Sequence, residues 1–294
     1  MNAMSSQEGG VSFIYGYAGT GKTYVWKTLC GAMRKMGEII LHVASSGSAS
    51  LLLPRGRTEH SRFDIPLNIT ENSTYTGIRQ GSDLADLLMT TKLIIWDEAP
   101  MMHKYCFEAL DRSLRDIMRS LERDNLHRPF GGNVMVFSGD LRQILLVVPK
   151  GTRQDIVFAI INLSYLWDSR KILTLTRNMR LQSAGSSKYF VNELREFSEW
   201  ILSVGDEKAG GPNDGEAVIE VAKYILIDPG VDPISAIVDN TYLSLHDHIW
   251  EAKYFKDRAI LAPTNEIVEI VNDHVLSTIH GEDKVYLSSD AISK

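Results

Sequence analysis

Short apolar runs rich in β-branched residues recur along the first 180 residues, and most of them end in a polar cluster. The runs are continuous rather than alternating, which is typical of strands buried on both faces of a parallel sheet. Five runs are predicted to be strands: Val11–Tyr15, Ile39–Ala44, Leu93–Trp96, Val134–Phe137 and Ile172–Thr176. The pattern predicts an α/β fold with helices on both faces of the sheet. Ligands are expected beyond the carboxyl ends of the strands.

Helical periodicity follows several of these runs. Apolar residues three or four positions apart predict an amphipathic helix at Phe107–Leu121 and a second helix at Val191–Leu202. The glycine-rich segment Gly205–Gly215 is predicted to be a turn or loop. A sixth strand is predicted at Ala259–Ala262, followed by a helical stretch to about His280. The changes of pattern place domain boundaries near positions 182 and 258.

Composition narrows the class of protein. The 294 residues fit about two domains, and 44% hydrophobic with 23% charged residues excludes chain-wide disorder or a coiled-coil rod. No apolar run of about 18 residues occurs, so neither a membrane span nor a membrane partner is expected. Two cysteines without zinc-ligand spacing predict a reducing, intracellular location. A net charge of −6 argues against a broadly basic nucleic-acid surface but allows a local basic groove.

The strongest chemical signal is GYAGTGKT, which lies between the first predicted strand and a helix. The spacing GxxxxGK[ST] is typical of a loop whose backbone N–H groups surround the phosphates of ATP. We expect Lys22 to reach the β- and γ-phosphates and the Thr23 hydroxyl to hold Mg²⁺. The alternative is a glycine-rich turn with an incidental Lys-Thr pair, and both flanking elements argue against it. The predicted nucleotide-binding residues are Gly16, Gly19, Thr20, Gly21, Lys22 and Thr23.

Two acids end the third predicted strand. Carboxylates directly after a buried strand are costly unless they bind something. We expect Asp97 to hold Mg²⁺ and Glu98 to act as the base that deprotonates the water attacking the γ-phosphate. The alternative is a strand end whose acids face water.

Two further polar segments follow later strands. Gln143, in SGDLRQ, is predicted to contact the γ-phosphate and to report hydrolysis, although a capped β-turn explains the same segment. Asp140 and Arg142 are expected to brace that turn. Arg180, in LTLTRNMR, is predicted to stabilise transition-state charge as an arginine finger, with Arg177 as the other candidate.

A fifth segment carries small hydroxyl and backbone donors followed by His, Arg and Phe. These residue types suit a path for single-stranded DNA, with phosphate contacts and a stacking ring. The alternative is a helix N-cap followed by a polar loop. The candidate DNA-binding residues are Ser45, Ser46, Gly47, His60 and Ser61.

These segments together resemble the PIF (petite integration frequency) DNA helicases of superfamily one, especially the plant and Helitron-transposon branch. The matching pieces are GYAGTGKT, ASSGSASLLLPRGRTEHSRFDIP, IIWDEAPM, FSGDLRQILLVVP, LTLTRNMRL, LAPTNEIVEIVND and VYLSSD. The resemblance implies a RecA-like ATPase domain, a path for single-stranded DNA, and 5′-to-3′ translocation that opens forked duplexes. It assigns the roles above to Lys22, Thr23, Asp97, Glu98, Gln143 and Arg180, and it favours the DNA-path interpretation of the fifth segment.

The resemblance also implies a domain order. Residues 1–182 are expected to form a RecA-like ATP-binding domain, 183–258 a connecting region, and 259–294 the beginning of a second RecA-like domain. Later family motifs are missing, so the chain is expected to correspond to the N-terminal portion of a helicase. We therefore expect slow ATP hydrolysis and no unwinding by the isolated chain, and a nuclear location for the protein.

Two other classes of function fit the same motifs. One is a P-loop ATPase that works without DNA, and the other is a non-enzymatic helicase remnant that binds nucleotide or DNA. Stimulation of ATP hydrolysis by single-stranded DNA distinguishes these classes from a helicase.

Overall fold

The structure is a computed structural model that describes residues 9–66, 68–75, 77–143, 146–183, 188–210, 218–279, 281 and 284. The chain forms two compact units, Met1–Ala209 and Gly210–Lys294, and each is described by itself. The division into a RecA-like domain, a connecting region and a second RecA-like domain stays a prediction.

The first unit is built on a six-stranded parallel sheet with the order β3-β2-β4-β5-β1-β6. The strands are β1 (Gly10–Tyr15), β2 (Ile39–Ala44), β3 (Arg57–Thr58), β4 (Thr91–Asp97), β5 (Val134–Gly139) and β6 (Arg170–Thr174). The predicted α/β fold is confirmed, and all five strands predicted in this unit are present. The last of them begins and ends two residues earlier than expected.

The sixth strand is not where the sequence predicts it. Residues Ala259–Ala262 form no strand, and Leu261 is 92% exposed. A strand needs a neighbour for its backbone N–H and C=O groups, and the described part of the second unit contains no other strand. The sixth strand of the sheet is instead β3, a polar dipeptide whose sequence carries no apolar run.

Helices cover both faces of the sheet. Those of the first unit are α1 (Lys22–Lys35), α2 (Gly47–Leu52), α3 (Glu59–Phe63), α4 (Asp83–Thr90), α5 (Lys104–Met118), α6 (Arg153–Ala159), α7 (Met179–Ser183) and α8 (Lys188–Gly205). The predicted Phe107–Leu121 helix is α5, which begins and ends three residues earlier than expected. The His103 ring caps its N-terminus by accepting a hydrogen bond from Tyr105 N. The helix predicted at Val191–Leu202 is α8 and is longer at both ends.

Two apolar clusters lie on opposite faces of the sheet. Alternate residues of β4 divide between them: Ile94 and Trp96 pack with Phe107 of α5, whereas Leu93 and Ile95 pack with helix α1. All four β4 side chains are essentially inaccessible to water. Burial of each such side chain contributes about 1.5–3 kcal/mol, so the continuous apolar run of β4 reflects burial on both faces.

The described part of the second unit is helical. It contains α9 (Pro233–Thr241), α10 (Leu245–His248), α11 (Ala252–Lys256) and α12 (Asn265–Thr278), and α9 packs against α12. The helix predicted after Ala262 is α12, whereas its expected end at His280 lies outside the described residues. None of the described helices in either unit combines the length and apolarity that a membrane crossing needs.

Candidate nucleotide-binding site

The loop from Gly16 to Gly21 joins β1 to α1 at the carboxyl edge of the sheet, and Lys22 and Thr23 begin the helix. Gly19 and Gly21 adopt left-handed φ angles of 87° and 92°, which favour glycine. Lys22 is the first residue of α1, and its Nζ donates to the Gly16 carbonyl at 2.7 Å. The Thr20 hydroxyl donates to the Tyr17 carbonyl at 2.8 Å. The loop is therefore closed on itself, with the lysine folded over it.

The segment after β6 packs directly on this loop. Met179 N donates to the Gly19 carbonyl at 2.8 Å. A Cβ atom added to Gly19 would lie 2.6 Å from Asn178 Oδ1 and 3.3 Å from Arg180 Cδ, so a side chain there would collide with the segment. The close approach brings Arg180 to the phosphate loop, although the two are far apart in sequence.

Asp97 and Glu98 lie where β4 ends, beside the end of β5. Asp97 is buried, and its Oδ1 accepts hydrogen bonds from the Ser138 hydroxyl and from Glu98 N, the latter at 3.1 Å. Glu98 adopts a left-handed φ of 52°, which turns the chain sharply after the strand. The interpretation that these acids simply face water does not describe Asp97.

Glu98 is the titratable group whose environment best suits a base. Burial, followed by the charge of Asp97, raises the pKa of the Glu98 carboxyl, while Lys22 and a hydrogen bond from Gln143 oppose the shift. Its Oε2 is buried without a hydrogen-bond partner among the described residues. A buried carboxylate with a raised pKa and an unpaired oxygen is suited to accept a proton.

The segment after β5 forms a capped turn and also places the Gln143 side chain beside the phosphate loop. Arg142 N donates to Asp140 Oδ1 at 3.1 Å and Gln143 N donates to the Asp140 carbonyl at 3.2 Å, so Asp140 caps a turn. The Gln143 side chain nevertheless contacts Glu98 and lines the cleft beside the phosphate loop. The capped turn thus positions Gln143.

A cleft of about 640 Å³ brings these groups together. Of the sequence-predicted residues, its lining contains Gly19, Gly21, Lys22, Thr23, Asp97, Glu98, Gln143 and Arg180. Arg177 is absent from the lining, which distinguishes the two arginine candidates. Gly16 and Thr20 shape the loop behind it. Ala49 and Leu52 of α2, which no sequence motif identified as site residues, also line the cleft; the one feature that could have indicated them is that they follow a polar strand end.

The candidate DNA-binding residues lie outside this cleft. Ser46 accepts from Ala49 N at 3.1 Å as the N-cap of α2, and Ser45 accepts from Trp96 Nε1 at 2.9 Å. His60 Nδ1 lies 2.8 Å from Glu59 Oε1. The cap interpretation therefore holds for Ser46. Gly47, His60 and Ser61 are exposed, and the DNA role of all five stays a prediction.

The cleft also fits Mg²⁺. No group of three His, Cys, Asp or Glu side chains forms a metal cage in the described part of the chain. Mg²⁺ beside a nucleotide needs only one or two protein oxygens, because water and phosphate oxygens complete its shell. The Thr23 hydroxyl and the Asp97 carboxylate line the same cleft and offer such oxygens.

The sheet is parallel, a Gly-rich loop follows β1 and precedes a helix, two acids lie at the end of β4, which is separated from β1 by β5, and an arginine faces them. These features define a P-loop NTPase of the RecA-like type. The family model described as PIF1-like helicase matches residues 1–215. The chain belongs to the PIF1-like helicase family.

Individual relatives agree with this assignment. ATP-dependent DNA helicase PIF4 of Trypanosoma brucei brucei is 30% identical over 151 residues, which cover 50% of this chain and 18% of that protein. ATP-dependent DNA helicase Pif1 of Psychrobacter sp. is 28% identical over 173 residues, which cover 58% of this chain and 25% of that protein. The crystal structure of Bacteroides Pif1 bound to ssDNA matches with a TM-score of 0.51 and 26% identity, over 70% of this chain and 45% of that chain. This chain therefore spans less than half the length of each.

Proposed function

We propose that the chain is the N-terminal, ATP-binding portion of an ATP-dependent DNA helicase that moves 5′ to 3′ along single-stranded DNA. The observation that carries the proposal is the single cleft in which Lys22, Glu98 and Arg180 meet, although they come from three distant segments. A phosphate loop, a carboxylate that handles the attacking water and an arginine are the parts that phosphoryl transfer in this class requires. Membership of the PIF1-like family supports DNA as the track.

Each side chain of the cleft has a defined task in this proposal. Lys22 Nζ leaves the Gly16 carbonyl and binds the β- and γ-phosphates, and the loop N–H groups hold the β-phosphate. Glu98 accepts a proton from the attacking water at its unpaired Oε2. Gln143, whose side chain is hydrogen-bonded to Glu98, contacts the γ-phosphate. Arg180 neutralises the negative charge that develops in the transition state.

Thr23 and Asp97 are proposed to hold Mg²⁺, which would neutralise phosphate charge next to the loop. Asp97 accepts its two described hydrogen bonds at Oδ1, and both come from the ends of the same strand pair. The Ser138 hydroxyl and Glu98 N thus orient the carboxylate toward the cleft.

Single-stranded DNA and forked duplexes are the proposed partners. One solved relative is Bacteroides Pif1 bound to ssDNA, and another solved match concerns DNA unwinding at forked dsDNA by Pif1 helicases, at 27% identity and a TM-score of 0.52. In this chain the proposed path crosses the ends of β2 and β3. The residues proposed to form it are Ser45, Ser46, Gly47, His60 and Ser61.

Membership of the plant and Helitron-like branch and a nuclear location belong to the same proposal. The branch is supported by the overall resemblance of the matching sequence pieces quoted above. The location is supported by the proposed DNA substrate and by two free, buried cysteines, Cys30 and Cys106.

ATP hydrolysis by the purified chain, measured with and without single-stranded DNA, tests the proposal. Lys22→Ala is the blank, and Lys27→Ala, an exposed lysine on the same helix, is the matched control. Turnover that rises with DNA, is lost in Lys22→Ala and is kept in Lys27→Ala supports a helicase motor.

The other two classes of function give different results. A rate of ATP hydrolysis that single-stranded DNA does not change would indicate a DNA-independent P-loop ATPase. Nucleotide or DNA binding without any turnover would indicate a non-enzymatic remnant. In either case the helicase proposal for this chain would be wrong.

A further inference from the structure

Helix α8 (Lys188–Gly205) borders a second cavity beside the nucleotide cleft. The cavity has a volume of about 410 Å³, and its lining includes Gln143 and Arg180, the two side chains proposed to contact the γ-phosphate. Apolar side chains of α8 form another part of the lining, and one of them, Ile201, is 48% exposed. Apolar packing between α8 and this side of the cleft is therefore incomplete, so polar contacts of the helix largely set its position.

The first polar contact joins α8 to the segment that carries Arg180. Asn178 Nδ2 donates to the Ser198 hydroxyl at 3.3 Å, and Asn178 Oδ1 accepts from Arg180 N at 3.1 Å. The same Oδ1 would lie 2.6 Å from a Cβ atom added to Gly19, so the amide is pressed against the phosphate loop. Ser198 therefore holds an amide group whose other end holds the backbone of Arg180.

The second polar contact joins the end of α8 to the turn that carries Gln143. Arg142 Nε donates to Asp206 Oδ1, and the Arg142 guanidinium lies 5.8 Å from the ring centre of Tyr17 in the phosphate loop. Lys208 is a second cation at this carboxylate, 3.1 Å from Oδ2. Because Arg142 directly precedes Gln143 in the chain, the carboxylate that fixes the one also restrains the other.

These contacts make α8 the common support of two segments that follow different strands. Arg142 lies in the turn after β5, whereas Asn178 lies in the segment after β6. Ser198 and Asp206 lie in none of the sequence pieces on which the family resemblance rests. The support for this side of the cleft therefore comes from residues that the motifs do not contain.

We infer that Ser198 and Asp206 are positioning residues for recognition of the γ-phosphate. Ser198 acts on Arg180 through the amide between them, and Asp206 acts on Gln143 through the neighbouring guanidinium. The inference rests on the proposed function, in which Gln143 and Arg180 contact the γ-phosphate. A side chain that is held in place before the ligand arrives loses less freedom on binding, so loss of the support weakens that contact.

Selectivity for ATP over ADP tests this inference, because ADP lacks the γ-phosphate. The Kd values of both nucleotides are measured with Mg²⁺ on the full chain of 294 residues, by displacement of a fluorescent ATP analogue. Ser198→Ala and Asp206→Ala are each expected to lower the ratio of the ADP Kd to the ATP Kd by about three- to tenfold, the range of one hydrogen bond. The Kd for ADP should stay unchanged, which also shows that the phosphate loop is folded.

Double variants show whether each residue acts through its partner. In an Arg180→Ala background, Ser198→Ala should lower the ratio no further. In a Gln143→Ala background, Asp206→Ala should likewise have no further effect. A positioning residue loses its influence once the side chain that it positions is removed, so the effects of such a pair are not additive.

Matched variants on the same helix control for loss of a hydroxyl or an acid. The Ser203 hydroxyl donates to the Trp200 carbonyl within α8, and Glu199 is an exposed acid of the helix. Ser203→Ala and Glu199→Ala should leave the ratio unchanged. Asp206→Asn keeps an acceptor oxygen for the guanidinium, so it should retain more of the ratio than Asp206→Ala does, and it gives an answer if the alanine variant does not fold.

A purely structural role of the two residues would give a different result. It would weaken ATP and ADP binding together, and the constant ratio would overturn the inference. Additive losses in the double variants would overturn it as well. A ratio that falls in Arg180→Ala and Gln143→Ala but not in the α8 variants would overturn the inference and leave the proposed function intact. A parent chain that binds both nucleotides equally would overturn the proposed γ-phosphate contact and the inference with it.

Discussion

Arg142 and Asp206 form an ion pair that joins the turn after β5 to the end of α8. The Arg142 Nε donates to Asp206 Oδ1, and the guanidinium lies 5.4 Å from the ring centre of Tyr15 and 5.8 Å from that of Tyr17. A Cβ atom added to Gly205 would lie 3.2 Å from Arg142 Cδ, so helix and turn are in close contact. The pair therefore fixes α8 beside the turn that carries Gln143.

We expect Arg142→Gln and Asp206→Asn each to lower the Tm, and the double variant to lose less than the sum of the two single losses. The reason is that either change removes the same ion pair, so the loss of that pair is counted only once in the double variant. Thermal unfolding of the four chains measures this, and additive losses would contradict it.

This pair also predicts a pH dependence. Hydrogen bonds from Lys208, then Arg142, hold the pKa of Asp206 below its usual value of 3.8. Ionised Asp206 therefore stabilises the fold above that value, and the contribution is lost as the pH falls through the lowered pKa. The Tm difference between the parent and Asp206→Asn should be largest at neutral pH and should vanish in strong acid. A Tm difference that increases as the pH falls would contradict this prediction.

Lys22→Ala should weaken ATP binding by about 10- to 100-fold without unfolding the chain, because a charge-assisted hydrogen bond contributes about 1.5–3 kcal/mol. The Lys22 ammonium touches only the Gly16 carbonyl among described polar groups, so the fold does not depend on it. Titration with a fluorescent ATP analogue gives the affinity, and the melting curve checks the fold. Lys27→Ala is the control. Unaltered affinity in Lys22→Ala would remove the loop from phosphate binding.

Glu98→Gln should raise the Tm of the nucleotide-free chain at neutral pH while abolishing hydrolysis. Burial raises the pKa of this carboxyl above 4.5, so its ionised form costs stability, and the cost appears as the pH rises through the raised pKa. Below pH 4.5 the carboxyl is protonated in both states, and the advantage of Gln should fade. Melting curves across pH measure the effect. A lower Tm at neutral pH would mean that the negative charge stabilises the empty cleft.

Arg180→Ala should reduce the preference for ATP over ADP, whereas Arg177→Ala should leave it unchanged. Of these two arginines, Arg180 lines the cleft and Arg177 does not. Neither residue has a resolved ion pair in the described chain, so the two variants differ in position rather than in lost internal contacts. The ratio of the Kd values for ADP and ATP is the measurement. Finger arginines are worth about 10³–10⁵ in rate, so Arg180→Ala should also show the larger loss wherever turnover is detectable. Equal effects of both changes would contradict the assignment.

The sequence by itself determined the five long strands, the phosphate loop and the two acids after β4. These features depend on neighbours in the chain: burial on both faces demands a continuous apolar run, and a tight loop before a helix demands glycine at fixed spacing. The same logic predicted a strand at Ala259–Ala262, because an apolar run does not reveal whether a partner strand exists.

Tertiary structure alone decided which arginine enters the cleft, which polar dipeptide extends the sheet and which carboxylate holds Arg142. The Tyr17 hydroxyl donates to the Thr176 carbonyl at 2.9 Å across 159 residues, and this contact, with the bond from Met179 to Gly19, selects Arg180 over Arg177. β3 exists because Arg57 and Thr58 find β2 beside them. Such contacts join segments whose local sequences carry no information about each other, so only the packing of the folded sheet brings them together.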